Sequence, residues 1–158
     1  MVFLVGADPE VFVEKDGELA SAYGLIPGTK DKPFPVNNGA VQVDGMALEF
    51  NINPASSRLA FAGNIASVKK KLKEMVPTYK IKIVSSVHFP ESLMNTQPEE
   101  AKTLGCDPDY NAWTEELNET PNAATNMRTA AGHIHVGWTK DQDCTSPLHF
   151  SPDRDWET

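Results

Sequence analysis

The stretch AVQVDGMALEFNINP, residues 40–54, decides the fold. Apolar and polar residues alternate on both sides of an Asp-Gly pair, the pattern of two short antiparallel strands joined by a tight turn. A turn at Asp44-Gly45 pairs Val43 with Met46, Val41 with Leu48 and Ala40 with Glu49. Successive side chains of a strand point to opposite faces. Val41, Val43, Met46, Leu48 and Phe50 therefore form an apolar face that needs a cover. Gln42, Ala47, Glu49, Asn51 and Asn53 form a small or polar face.

The cover follows directly in the sequence. After Pro54, Ser56 or Ser57 can cap a helix. Phe61, Ile65, Val68, Leu72 and Met75 then recur at helical spacing as one apolar stripe, and Pro77 ends it. Lys69, Lys70 and Lys71 point largely outward near the C-terminal end, where the helix dipole favours cations.

Working outward, residues 2–5 (VFLV) and 10–14 (EVFVE) read as strands separated by Gly6, Ala7 and Pro9. The Asp-Gly pair in KDGE, residues 15–18, suits a hairpin turn, with residues 18–23 returning antiparallel. Residues 24–39 are rich enough in Pro, Gly and Asn to read as loop throughout. Residues 80–87 alternate as a strand. Turn and capping residues dominate 90–130, with one short helix near 97–104. The expected class is α+β: a curved, mainly antiparallel sheet with a helix packed on one face.

The chain has 158 residues, and its hydrophobic fraction of 40% suffices for the core of one domain. A net charge of −8 argues against a nucleic-acid backbone as partner, because that needs a basic footprint. No apolar run reaches transmembrane length. MVFLVGADPE lacks the basic start of a signal peptide, so a cytoplasmic location is expected. Cys106 and Cys144 make no disulfide framework and read as free thiols, Cys106 packing rather than acting as a nucleophile. His88 and His149 stand alone and read as structural. No GxxxxGK[ST] run exists, and Gly24 to Gly28 lacks the dinucleotide-binding spacing.

Three segments share an unusual habit. Asp8 and Glu10 sit two apart, as do Glu49 and Asn51, and His133 and His135 in AGHIHVG (131–137). Each pair would face one way while apolar neighbours face the other. The polar positions carry carboxylate, carboxamide and imidazole, with no Lys or Arg among them to neutralise the acids. That donor set suits Mg²⁺ or Mn²⁺ better than a structural zinc. Plainer readings stand beside this one. Asp8 can be a turn residue before Pro9, Glu49 can pair with Arg58 or Arg128, and the two histidines can be solvated. Lys30 and Lys32, in a flexible loop, could reach phosphate, and Arg128 could clamp a carboxylate or phosphate or serve an ion pair.

GADPEVFV, PGTKDKP, AVQVDGMALEFNINPAS, LGCDPDYNAW and MRTAAGHIHVGW occur in that order across residues 4 to 138. This series resembles the phage carboxylate–amine ligases of type 2, which have a glutamine-synthetase-like fold. The resemblance implies a sheet whose concave face holds ATP and divalent metal. It implies Asp8, Glu10, Glu49 and His133 as metal ligands, and Lys30, Asn51 and His135 as ATP-binding residues. Arg128 and Lys30 would contact phosphate or the substrate carboxylate.

The implied chemistry forms an acyl phosphate from a small-molecule or peptide carboxylate, which an amine then converts to an amide. Such ligases continue beyond the histidine strand. Residues 1–158 are therefore expected to form one domain, incomplete at its C-terminal end, whose site a homo-oligomer or second subunit completes. No nucleic-acid or membrane partner is expected. A metal-dependent hydrolase and a non-catalytic binding or assembly protein derived from the same fold are the competing readings.

Overall fold

The structure is a computed structural model that describes residues 2–104, 110–118 and 125–139. It is a mixed α and β protein in which every strand pairing among the described residues is antiparallel. In chain order it has β1 (Val2–Ala7), β2 (Glu10–Lys15), β3 (Glu18–Ala20), β4 (Phe34–Val36), β5 (Gly39–Asp44) and β6 (Ala47–Ile52). Helix α1 (Arg58–Met75) follows, then β7 (Lys80–Lys82), β8 (Ser86–His88), α2 (Glu91–Thr96), α3 (Glu99–Lys102), β9 (Met127–Thr129) and β10 (Ile134–Thr139). The main sheet runs β3-β2-β6-β5-β4, with β7 also paired to β2; β1 pairs β10, and β8 pairs β9.

Both hairpins form, but one differs in register from the expectation. Lys15 opposes Glu18 across Asp16 and Gly17, whose φ values of 53° and 86° are those of a type I′ turn. In the second hairpin Asp44 opposes Ala47, Val43 opposes Leu48 and Val41 opposes Phe50. The turn is therefore Gly45-Met46 rather than Asp44-Gly45. Gly45, with φ 55°, takes the first central position, which requires positive φ in a type II′ turn. Asp44 becomes the last strand residue, and Met46 leaves the apolar face.

Other expectations are corrected in detail. Residues 24–39 are not all loop, since Phe34–Val36 pair with Gly39–Val41. Pro35 is tolerated there because β4 ends the sheet order, where a missing N–H costs no ladder bond. The strand expected over 80–87 divides into β7 and β8, which pair with different partners. The helix near 97–104 is α3, and α2 precedes it unforeseen. Cys106, Cys144 and His149 lie outside the described residues.

Helix α1 starts where Ser57, in extended conformation, accepts a hydrogen bond from the Ala60 N–H at 3.2 Å. Its Val68 and Leu72 are fully buried in one core with Val11, Val13, Val41, Leu48, Phe50 and Ile52. A second core gathers Phe12, Met46, Ala47, Val87, Phe89, Met94, Ala101 and Ala130. Alternation along β2 and β6 puts these two cores on opposite sides of the strands. No helix among the described residues is long and apolar enough to cross a membrane.

Candidate metal centre

Residues 8–10 are threaded between two neighbours. On one side the Asp8 and Glu10 N–H groups donate to the carbonyls of His133 (3.3 Å) and Ala131 (2.9 Å). On the other, the Phe50 N–H donates to the Pro9 carbonyl at 3.1 Å. Pro9 has no N–H to return, so the Phe50 carbonyl receives no hydrogen bond from it. Since Pro9 and Phe50 form a hydrogen-bonded position, the next pair, Glu10 and Glu49, is non-hydrogen-bonded. Such pairs bring their Cα atoms to about 4.5 Å and their side chains closest. Two carboxylates are thereby pressed together by backbone register.

The same face continues onto β5. Gln42 opposes Glu49, and its Nε2 donates to Glu49 Oε2 at 2.7 Å. Asp44, two residues on, projects to the same side and opposes Ala47, whose methyl leaves room for it to lean toward the other acids. One oxygen each from Glu10, Asp44 and Glu49 lies within 4.8 Å of the other two. All three residues are half-buried.

The electrostatics follow from that crowding. Burial pushes the Glu49 carboxyl up to about 7; the Gln42 hydrogen bond opposes this, and the charges of Asp44, Asp8 and Glu10 add to it. Glu10 is also raised, again chiefly by burial, with Asp44 contributing and the Ala131 N–H working against it. That N–H donates to Glu10 Oε2 at 2.8 Å and fixes the carboxylate. No ion pair joins Arg58 or Arg128 to Glu49 among the described residues. Three crowded carboxylates with a carboxamide beside them form an oxygen-only donor set, which fits a hard divalent cation such as Mg²⁺ or Mn²⁺.

Asp8 and the histidines form an adjacent group. Asp8 Oδ1 accepts the His133 N–H at 2.7 Å and lies 3.4 Å from His133 Nδ1. Asp8 Oδ2 lies 3.2 Å from His135 Nε2. His135 opposes Gly6, which has no side chain to hold the ring away from Asp8. The His133 side chain is 69% exposed and that of His135 only 18%. His133 precedes β10 rather than lying within it. Asn51, half-buried on the Glu49 face, falls level with Asp8 one step along the ladder.

The structure thus brings Asp8, Glu10, Glu49, Asn51, His133 and His135 together where residues 8–10 run between β6 and residues 131–133, with Asp8 and His133 outside the strands and His135 on β10. Lys30 sits on an exposed turn closed by Thr29 and Lys32, on a different segment from Asp8, Glu10, Asp44 and Glu49. Arg128 is 5% exposed and turned inward: Nη1 donates to the carbonyls of Thr125 (2.6 Å) and Met127 (2.8 Å), and Nη2 to that of Lys102 (2.8 Å). Asp44 is the site residue that sequence reasoning missed. Alternation from Ala40 through Gln42 would have found it, had Asp44 not been assigned to the turn.

Glu10 also lines a groove of about 400 Å³ with Pro9, Val84, Ser85 and Ala131. A larger one, about 880 Å³, lies between α1 and β7 and holds none of the three acids. The three carboxylates converge away from the larger cavity, which Lys69, Lys70, Lys73 and Lys80 line. No family model, curated protein or solved structure matches the chain.

Proposed function

We propose that the chain carries the cation-holding part of an ATP- and Mg²⁺-dependent carboxylate–amine ligase, with Mn²⁺ able to replace Mg²⁺. The observation that carries this reading is the convergence of Glu10, Asp44 and Glu49 from three adjacent strands. The ordered motifs described above supply the reaction class, and with it a curved, glutamine-synthetase-like sheet covered on its other side by α1. Glu10, Asp44 and Glu49 hold one cation. Asp8 with His133, in the adjacent group, offers a position for a second, while Asn51 and His135 border the nucleotide.

When bound, the cation offsets the charge of ATP phosphates and of the transferring phosphoryl group. The protein's part is positioning. The Ala131 N–H holds Glu10, Gln42 holds Glu49, and Asp8 orients His135. Lys30, on its exposed loop, approaches phosphate or carboxylate from solution. Arg128 supports the segment leading to the histidines, and a second copy or another subunit supplies further cationic groups. The substrates are a small-molecule or peptide carboxylate and an amine, met in the cytoplasm.

The test offers the full chain ATP, Mg²⁺, candidate carboxylates and hydroxylamine. A hydroxamate formed only with ATP supports acyl-phosphate chemistry. Turnover of an ester, amide or phosphate without nucleotide would assign the same acids to a metal-dependent hydrolase. Mg²⁺ and ATP both failing to bind in calorimetry would leave a non-catalytic binding protein.

A further inference from the structure

One atom beside the three acids is not explained by the packing. Gln42 is 6% exposed, and its Nε2 is committed to Glu49 Oε2 at 2.7 Å. Its Oε1 is buried and accepts no hydrogen bond among the described residues. Buried acceptors are almost always satisfied, so an orphan one needs a reason. Rotating the amide by half a turn does not remove the problem. It would face the Gln42 oxygen toward a Glu49 carboxylate oxygen and give up the 2.7 Å hydrogen bond. The charge on Glu49 therefore sets the orientation and keeps the carbonyl oxygen unsatisfied.

A leucine or methionine would fill this position without an orphan acceptor, at the cost of the donor to Glu49. A carboxamide is useful there if both of its ends are used, one on Glu49 and the other on something electropositive. The partner must sit on the same face as the acids, since Gln42 opposes Glu49 and alternates in phase with Asp44. It must tolerate three negative neighbours and accept a neutral oxygen. A hard divalent cation meets each condition, because such ions take side-chain carbonyl oxygens alongside carboxylates.

We propose that Gln42 Oε1 is a direct ligand of the cation held by Glu10, Asp44 and Glu49, making the primary site a four-residue, oxygen-only cradle. This rests on the reading that the three acids bind a cation, and extends it to a neutral donor that no charge pattern would reveal. Gln42 then acts twice, ligating with its oxygen and fixing Glu49 with its nitrogen. The histidines belong to the adjacent position and do not ligate this ion.

Mn²⁺ alone, titrated into the full chain and followed by its electron paramagnetic resonance signal, tests the assignment. Gln42→Met, close in volume and without the amide, should weaken binding at the primary site at least tenfold. Gln42→Glu, which keeps an oxygen in place, should bind no more than about threefold more weakly than the parent. His133→Ala should leave the tightest site unchanged. Equal Mn²⁺ affinity in the parent and in Gln42→Met would overturn the role of Gln42 while the three-acid site stands. No Mn²⁺ binding by the parent would overturn both.

The unsubstituted chain provides a second measurement, in case Gln42→Met does not fold. With ¹³C at glutamine Cδ, Mg²⁺ should shift the Gln42 resonance and leave that of Gln97 in place. An unmoved Gln42 resonance at saturating Mg²⁺ would overturn the proposal.

Discussion

Glu10 and Glu49 are direct partners across β2 and β6, at a position where antiparallel strands bring side chains closest. Like charges so placed normally destabilise a sheet, and here a third acid, Asp44, joins them. Neither Arg58 nor Arg128 forms an ion pair with Glu49 among the described residues. The packing meanwhile gives Glu49 a hydrogen bond through Gln42 and Glu10 one through Ala131. Both acids are held in place rather than allowed to swing into solvent, as the proposed cation site requires.

Glu49→Gln should stabilise the metal-free protein at pH 8. The substitution keeps an acceptor for Gln42 and removes a carboxylate whose pKa burial lifts to about 7 from the usual 4.5. Relative to the parent, the gain should be up to about 3 kcal/mol at pH 8 and should vanish near pH 4. Urea unfolding in the presence of a chelator, at both pH values, reads the difference. A loss of stability at pH 8 would show that Glu49 is satisfied by something other than a proton or an ion.

Arg128→Ala should cost stability above all. The Arg128 guanidinium donates to three backbone carbonyls, one of them that of Lys102 at the end of α3. Removing those donors leaves partly buried acceptors unpaired, at a cost of roughly 3 kcal/mol. Arg128→Lys should recover part of this loss and leave Mn²⁺ affinity within about twofold of the parent. Denaturant midpoints and a Mn²⁺ titration together separate a framework role from contact with the ligand.

The sequence was most informative where the signals are local. The Ser57 cap, the Phe61-to-Met75 stripe and the Asp16-Gly17 turn each act within a few residues, and the structure contains all three. The second hairpin shows how a partial reading survives. Moving the partner of Val43 from Met46 to Leu48 is a shift of two residues, which preserves the faces because the side-chain period is two. Val41, Val43, Leu48 and Phe50 therefore stayed together, while Asp44 passed from turn to strand and entered the site. The choice between the two turns lay in the backbone of Gly45, which an Asp-Gly pair does not reveal. The threading of residues 8–10 between β6 and residues 131–133 depends on contacts more than a hundred residues apart, and no local pattern encodes it.

Gly28→Ala should unfold the edge formed by β4 and β5 more readily than any surface change. Gly28 has φ 100°, a conformation that side chains rarely adopt. A Cβ there would overlap the Val41 carbonyl oxygen and come within 2.8 Å of the Phe34 nitrogen. Strain and overlap together should cost at least about 2 kcal/mol. Thermal unfolding, with amide exchange of residues 34–44 as the local probe, checks it.

Mg²⁺ should stabilise the protein at pH 8 and not at pH 5. A carboxyl whose pKa is higher in the folded than in the unfolded chain binds its proton more tightly in the native state. The stabilisation from Glu49 is therefore complete below its unfolded value of 4.5 and lost as pH rises through about 7. Glu10 is raised as well, so it acts in the same direction. Above neutrality the ionised acids repel one another, and a cation can replace the protons that held them together. At pH 5 Glu49 is still protonated, and the ion must first displace that proton. Mg²⁺ at a hundred times its dissociation constant should then raise stability at pH 8 by about 2.7 kcal/mol. The gain should fall toward zero at pH 5, and Glu49→Gln should abolish most of it at either pH. Melting curves across this range, with and without the ion, distinguish the cases. Equal stabilisation at both pH values, or full stabilisation of Glu49→Gln, would place the bound ion away from these carboxylates.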